Sequence, residues 1–463
     1  MARIASYGLA MVGGWLLRLW MVQQFFEANG DSLVYGDIAK NLVLHGKYAL
    51  SVGPDVTAPT LIRLPGYPLL LAMCFRLFGM ENYASVVWLQ IPLELAGCVL
   101  LADFARRIAP ARLKRGAEHA TLWLAALCPF TAIYAASPLA EGPTLFALAL
   151  ALWSAARFRE RPGWGDALAF TFAVTLAALL RPDGALAAVA LAPALLAVVR
   201  GGVRGGAEWR RVLRMAVVCA ALAAAPFVAW TWRNWHVFHV FQPLAPQSAT
   251  DPGEPVYAGW NRWVRTWCLD FVSTYNVYWN VPGDVLEVRN LPSRAFDSPE
   301  QYEETYRLAD DYNRNLGRLN ASLDARFARL AEERIRAHPL RYYVWLPLGR
   351  VADMWLRPRV ENLPIDLDWW VYENHNSETV FSWFYAGLNA LYLLLAAAGL
   401  WLRPGLWRWM LTYMVLRSVM LLTVAGPEAR YTLECFPMLF ALGGVAVAWG
   451  VSRVRWAGPG YKA

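Results

Sequence analysis

Ten apolar stretches, most of them close to the roughly 20 residues that a helix needs to cross a bilayer, constrain this chain more than any other feature. They cover residues 7–26, 86–105, 117–136, 139–156, 167–180, 185–199, 212–232, 383–402, 407–424 and 431–451. Hydrocarbon offers no water to satisfy backbone groups, so each stretch has to bond within itself. The expected fold class is therefore an all-α polytopic membrane protein with about 10 (9–12) transmembrane helices. A further run, 69–80, is apolar but short, and is expected to lie as a helix at the interface or to insert partway. Composition agrees: 57% of residues are hydrophobic, and tryptophan occurs 24 times. Such amphipathic rings gather at membrane–water boundaries.

The basic residues fix an orientation, because short cytoplasmic loops retain Lys and Arg. Arg106, Arg107, Arg112, Lys114 and Arg115 follow the second stretch. Arg157, Arg159 and Arg161 follow the fourth, Arg200 to Arg214 the sixth, and Arg453, Arg455 and Lys462 the last. All fall on one side of an alternating model. Both termini are expected in the cytoplasm, and no small-residue cleavage site follows the first stretch, which reads as a retained signal anchor. The net charge of +8 thus speaks for orientation and implies no nucleic-acid partner.

Three parts follow from this pattern: an N-terminal transmembrane module, 1–232, with a first outer loop at 27–68; an extracytoplasmic segment, 233–382; and C-terminal transmembrane helices, 383–463. The middle segment is partly helical. Residues 299–338 read as one long helix ended by His338-Pro339, with Leu316, Leu319, Leu323, Phe327 and Leu330 on its apolar face. Residues 340–356 form an aromatic amphipathic run expected to lie on the outer membrane surface. The six cysteines make no disulfide framework, since Cys98, Cys128, Cys219 and Cys435 lie inside apolar stretches. No CxxC or Cys/His spacing points to a metal, so metal ligands are unknown at this level.

The orientation gathers ionic residues on the outer side. Asp31 and Asp37 stand in the first loop with Tyr35 between them, and Arg63 closes it. Glu141 lies in the next outer turn, then Arg181 and Asp183, then Arg233-Asn234, and last Glu428, Arg430 and Tyr431. Any one of these alone is explained as a capping or snorkelling residue. Asp31 and Asp37 are six residues apart, so on one helix they point about 120° away from each other and do not act as a pair. Several arginines with a few carboxylates suit one substrate class: guanidinium forks match phosphate oxygens, and a carboxylate can take the proton of an attacking hydroxyl.

The stretches DSLVYGDIAKNLVLHGKY and RLPGYPLLLAMCFRLFG resemble the first outer loop of the polyprenyl-phosphate-sugar-dependent membrane glycosyltransferases. That GT-C class includes protein O-mannosyltransferases and the lipid A aminoarabinose transferases. Arg181-Pro182-Asp183-Gly184, Arg233-Asn234, Ala337-His338-Pro339-Leu340-Arg341-Tyr342 and Glu428-Ala429-Arg430-Tyr431 add to the likeness in chain order. The resemblance implies that Asp31 is the catalytic base. From the outer-side charges, Arg63, Arg181, Arg233, Arg430 and Tyr431 are expected to hold the donor phosphate, with Asp37, Tyr35, Glu141, Asp183 and Glu428 as further site candidates. Asp31-Ser32 stands where relatives often carry Asp-Glu, and Arg63-Leu64-Pro65 replaces an acidic residue before Lys-Pro. These departures argue against aminoarabinose and put a bound divalent metal in doubt, which stays the one possible cofactor.

The expected function is transfer of a sugar, with inversion, from an undecaprenyl- or dolichyl-type phosphate to a lipid, glycan or protein acceptor outside the cytoplasm. The place is a bacterial inner membrane with the site on its outer face. The partners are the lipid-linked donor, the acceptor and the bilayer. Two alternatives stand beside it. A transporter or flippase of lipid-linked sugars would use ions within spans, of which Arg18, Glu94 and Arg417 are the main ones and Glu434 lies just inside the last. A non-catalytic envelope-assembly protein would tolerate loss of Asp31.

Overall fold

A computed structural model describes residues 2–202, 206–246 and 248–457. Contacts divide the chain into two compact units. The first comprises Met1–Gly253, Ala390–Leu416 and Leu433–Ala463; the second comprises Glu254–Asn389 and Arg417–Thr432.

Every apolar stretch contains a helix. Among the described residues, five helices are long and apolar enough to cross a membrane: Arg3–Phe25, Tyr83–Ile108, Trp209–Phe238, Tyr372–Trp401 and Ala429–Val454. A sixth is a pair, Lys114–Ala126 and Pro129–Ala136, bent by 46°. The bend follows from Pro129, which disfavours helical geometry in the residue before it; Cys128 has φ −69° and ψ 114°. The remaining helices, Glu141–Glu160, Trp164–Leu180, Leu186–Gly202 and Trp407–Leu421, have 20, 17, 17 and 15 residues. By length and composition, five helices among the described residues, or six with the bent pair, are long enough to span, and the other apolar stretches form shorter or less apolar helices. The 69–80 run forms the 13-residue helix Gly66–Phe78.

In the first unit, Tyr83–Ile108, Lys114–Ala126 and Glu141–Glu160 pack through buried alanines, among them Ala102, Ala105, Ala117, Ala125 and Ala151. Small side chains let helix backbones approach closely, which is how apolar helices associate without a hydrophobic driving force. The helix at Trp209–Phe238 is only 6% buried over its apolar window. Val217, Val228 and Trp232 point outward from it, as on a face meant for lipid.

The first outer loop holds a feature missing from the sequence reading. Ala49–Gly53 and Val56–Pro59 pair as an antiparallel hairpin, Ala49 opposite Pro59 and Ser51 opposite Thr57. Among the described residues these are the only strands. The signal was present, since a Pro-Asp turn between short runs containing Val and Thr is a hairpin pattern.

The second unit corrects the long helix. Residues 299–338 form two helices, Pro299–Arg314 and Ala321–Ala337. Leu316 and Gly317 take φ of 56° and 68° and end the first. Asn320 caps the second by accepting a hydrogen bond from the Leu323 backbone amide at 2.9 Å. Leu316 is consequently exposed, whereas Leu319, Leu323, Phe327 and Leu330 are buried. They pack on Trp260, Trp263 and Trp267, three fully buried indoles. Arg334, also buried, donates to Thr266 Oγ1, Gln301 Oε1 and the Arg294 carbonyl, each at 2.9 Å.

Candidate active site

Asp31 opens the helix Asp31–His45 directly after the first membrane helix. Gly30 before it has φ 48° and ψ −118°, a conformation open to glycine and costly for other residues. That turn aims the first residue of the helix. The Asp31 carboxylate receives a hydrogen bond from Arg63 Nη2 at 2.6 Å, and the two side chains are 30% and 22% exposed. The Arg63 guanidinium also lies over the Tyr35 ring, 5.6 Å from its centre. Tyr35 meets Tyr67 edge-on at 5.0 Å. The Tyr67 hydroxyl donates to Gln90 Oε1 at 2.7 Å. Burial pushes the Tyr35 phenol up to about 12, and the charges of Arg63, Asp31, Glu141 and Arg181 all act on it.

Asp37 is otherwise engaged. Its two oxygens accept from the Ser51 backbone amide at 2.6 Å and the Ser51 hydroxyl at 2.7 Å. It ties the helix to the hairpin.

A second arrangement surrounds Arg181. This residue is extended, at φ −144° and ψ 131°, because Pro182 follows it and ends the helix Trp164–Leu180. Its guanidinium meets Glu141 Oε1 at 2.6 Å, Glu434 Oε1 at 2.8 Å and Asp183 Oδ1 at 3.5 Å. Glu141 and Glu434 are 3% and 1% exposed, and Arg181 is 15% exposed. Gly66 matters to the packing beside it, since a Cβ there would lie 2.6 Å from the Leu179 carbonyl oxygen.

Arg233 does something different again. It donates to the carbonyls of Tyr48 and Thr60, both at 2.7 Å, from within an aromatic enclosure of Tyr48, Trp230 and Phe238. Asn234 beside it is fully buried and donates to the Gln242 carbonyl at 2.8 Å. Asp251 accepts from the Leu61 amide at 2.7 Å. Together they hold the hairpin side of the first loop against the helix Gly206–Phe238. Tyr48 completes the clamp by donating to the Arg63 carbonyl at 3.0 Å.

Glu428, Arg430 and Tyr431 belong to the second unit. Arg430 Nε lies 2.6 Å from Glu428 Oε1, and its guanidinium is 5.8 Å from the Tyr431 ring centre. Arg417 donates to the Tyr431 carbonyl at 2.8 Å. Arg359, which the sequence reading passed over, donates to the Ala429 carbonyl at 3.0 Å and to Asn389 Oδ1 at 3.1 Å. In the same unit, Arg341 of the Ala337–Tyr342 motif makes a two-pronged pair with Asp297, at 2.6 and 2.8 Å.

The first unit therefore brings Asp31, Tyr35 and Arg63 together, and Glu141, Arg181 and Asp183 together with Glu434. It sets Asp37 and Arg233 to holding the loop. Glu434 was legible only as an acid just inside a span, and its partner was not.

No family model matches the chain, and no curated protein resembles it in sequence. Among solved structures, it is similar to the archaeal oligosaccharyltransferase AglB from Archaeoglobus fulgidus in complex with an inhibitory peptide and a dolichol-phosphate. The TM-score is 0.49 at 12% identity, over 99% of this chain and 52% of that one. It is also similar to ArnT from Cupriavidus metallidurans in the apo state, with a TM-score of 0.40 at 14% identity, over 97% of this chain and 77% of that one. ArnT bound to undecaprenyl phosphate gives 0.39 at 14% identity, over 98% and 79%. The chain thus spans about half the length of AglB.

Proposed function

We propose that this chain is a GT-C type membrane glycosyltransferase that moves a sugar from a polyprenyl-phosphate donor to an acceptor hydroxyl on the outer face of the membrane. The observation that carries the reading is the Asp31–Arg63 pair: a carboxylate and a guanidinium 2.6 Å apart, both reachable by solvent, just beyond a helix long enough to cross a bilayer. The pair is partly open to solvent, and fully exposed ion pairs are worth only about 0–1 kcal/mol, so a donor phosphate can compete with Asp31 for the Arg63 guanidinium. The Asp31 carboxylate then takes the proton of the acceptor hydroxyl. The acceptor oxygen bonds to the anomeric carbon as the sugar–phosphate bond breaks, which inverts the centre. The polyprenyl phosphate leaves with its charge on Arg63. Tyr35 packs under the guanidinium and limits where it can swing.

The Arg18–Glu94 pair within the spans fits packing better than transport. Arg18 Nε pairs with Glu94 Oε2 at 2.9 Å, and its Nη1 donates to the Ala126 carbonyl at 2.9 Å and to that of Gly14 at 3.2 Å. One guanidinium joins three helix segments, which is glue.

Mass spectrometry of envelope lipids and glycans tests the reading in cells lacking the protein, carrying it, or carrying Asp31→Asn. A sugar-bearing species present only with the wild type supports transfer. Identical profiles in all three, with the protein expressed and folded, would end it. The outward placement has its own check: a cysteine at position 37 should react with an impermeant thiol reagent applied from outside.

A further inference from the structure

Outside the candidate active site, the second unit gathers one histidine and three carboxylates at the start of a membrane helix. His375 breaks the helix Tyr372–Trp401, with φ −135° and ψ 45°. Its Nδ1 lies 3.3 Å from Asp366 Oδ2 and 3.9 Å from Glu378 Oε2. Donor atoms of Asp366, His375 and Glu378 all fall within 4.8 Å of one another. The opposite ring nitrogen, Nε2, lies 3.1 Å from Asp368 Oδ1. Glu378 is steadied by accepting the Asp366 backbone amide at 2.9 Å.

We infer that Asp366, His375 and Glu378 form a binding site for one zinc-class divalent ion, with Asp368 as the outer partner of the imidazole. Nothing in this inference rests on the glycosyltransferase reading. Zinc bonds of about 2.0–2.1 Å to nitrogen and oxygen put neighbouring tetrahedral ligands about 3.4 Å apart. The Asp366–His375 separation of 3.3 Å already matches that edge, and the three donor atoms, now within 4.8 Å of one another, draw in by side-chain rotation when the ion binds. The ring chemistry fits as well. A neutral imidazole has one N–H and one lone pair. With the proton on Nε2 and donated to Asp368, the lone pair on Nδ1 faces the other two carboxylates. A carboxylate behind a metal-bound histidine fixes the tautomer and raises ligand basicity. One nitrogen with two carboxylate oxygens suits zinc and its neighbours better than magnesium or calcium, which take oxygen alone. The ion fastens the loop carrying Asp366 to the first turns of the helix, with a water in the fourth position.

The competing account of the same geometry is a protonated imidazolium among carboxylates, and one experiment separates them. Full-length protein is purified in detergent without a histidine tag, stripped with chelator, and titrated with zinc chloride. Bound metal is counted by mass spectrometry and the melting midpoint followed. The wild type should take up about one zinc per chain and melt higher with it, since binding to the folded state stabilises that state. His375→Ala and Glu378→Gln should lose the ion and the shift while eluting as the wild type does. Asp368→Asn should bind about 10- to 100-fold more weakly, the effect expected of an outer partner. Retention of zinc by His375→Ala overturns the site. So does a wild type that takes up no zinc and melts at the same temperature with and without it.

Discussion

Two arginine–carboxylate groups of the first unit use the same chemistry to opposite ends. Arg63 pairs with Asp31, and both are partly open to solvent. Arg181 meets Glu141, Asp183 and Glu434, of which Glu141 and Glu434 are almost fully enclosed. A guanidinium in the first setting can trade partners, because water screens the loss. In the second a swap is harder, because breaking a buried ion pair costs about 3–5 kcal/mol. The difference divides labour between ions that look alike in sequence. Asp31 and Arg63 are suited to meeting a substrate, and the Arg181 group to holding the helices that surround the site.

The largest expected effect breaks this comparison most directly. Asp31→Asn keeps the shape and removes the ability to take a proton, so transfer should fall by about a hundred- to ten-thousand-fold while the protein stays folded. Turnover on a polyprenyl-phosphate sugar, alongside the elution profile in detergent, is the measurement. Next comes Arg181→Gln, expected to cost about 3–5 kcal/mol of stability. It should be read as a lowered resistance to denaturing detergent. If Arg181→Gln were as stable as the wild type but had lost donor binding, the division of labour would be reversed. Arg63→Gln is a smaller step. Donor affinity should weaken by about tenfold, the loss of one charge-assisted contact worth about 1.5 kcal/mol. The rise should appear in KM before kcat.

How far these roles could be read in advance depends on whether a partner lies nearby in the chain. Asp31 and Arg63 bracket one loop, and their meeting follows from a short excursion between apolar runs. Glu434 sits 253 positions from Arg181, a pairing that only helix packing supplies. Arg233 was legible as an outer ion at the end of a helix. Its use as a clamp required a hairpin to hold, and the hairpin was the element missed. The long helix of 299–338 failed for a similar reason. The apolar period persisted across residues 315–320, while Asn315, Gly317 and Asn320 carried the stop and start signals. Periodicity reported the buried face, and capping residues decided the boundaries.

The smallest effect concerns the carboxylate that resembles Asp31 most closely in sequence. Asp37 lies on the same helix, about 120° around it, and both its oxygens are taken by Ser51. Ser51 in turn accepts a hydrogen bond from Asn41 at 3.2 Å, so Asp37 closes a small network between helix and hairpin. Asp37→Asn can keep that arrangement: its carbonyl still accepts the Ser51 amide, and its amide nitrogen can donate to the hydroxyl once that hydroxyl rotates. Only the charge assistance is lost, so the cost should be under about 1 kcal/mol, with turnover close to that of the wild type. Asp37→Ala removes both acceptors and should cost about 1–2 kcal/mol. That loss should show as faster hydrogen exchange at the Ser51 amide, since this region would open more often. If instead Asp37→Asn abolished transfer and Asp31→Asn did not, the base would be Asp37. Its contacts with Ser51 would then have to open in the reacting state, and Arg63 would be holding Asp31 in place.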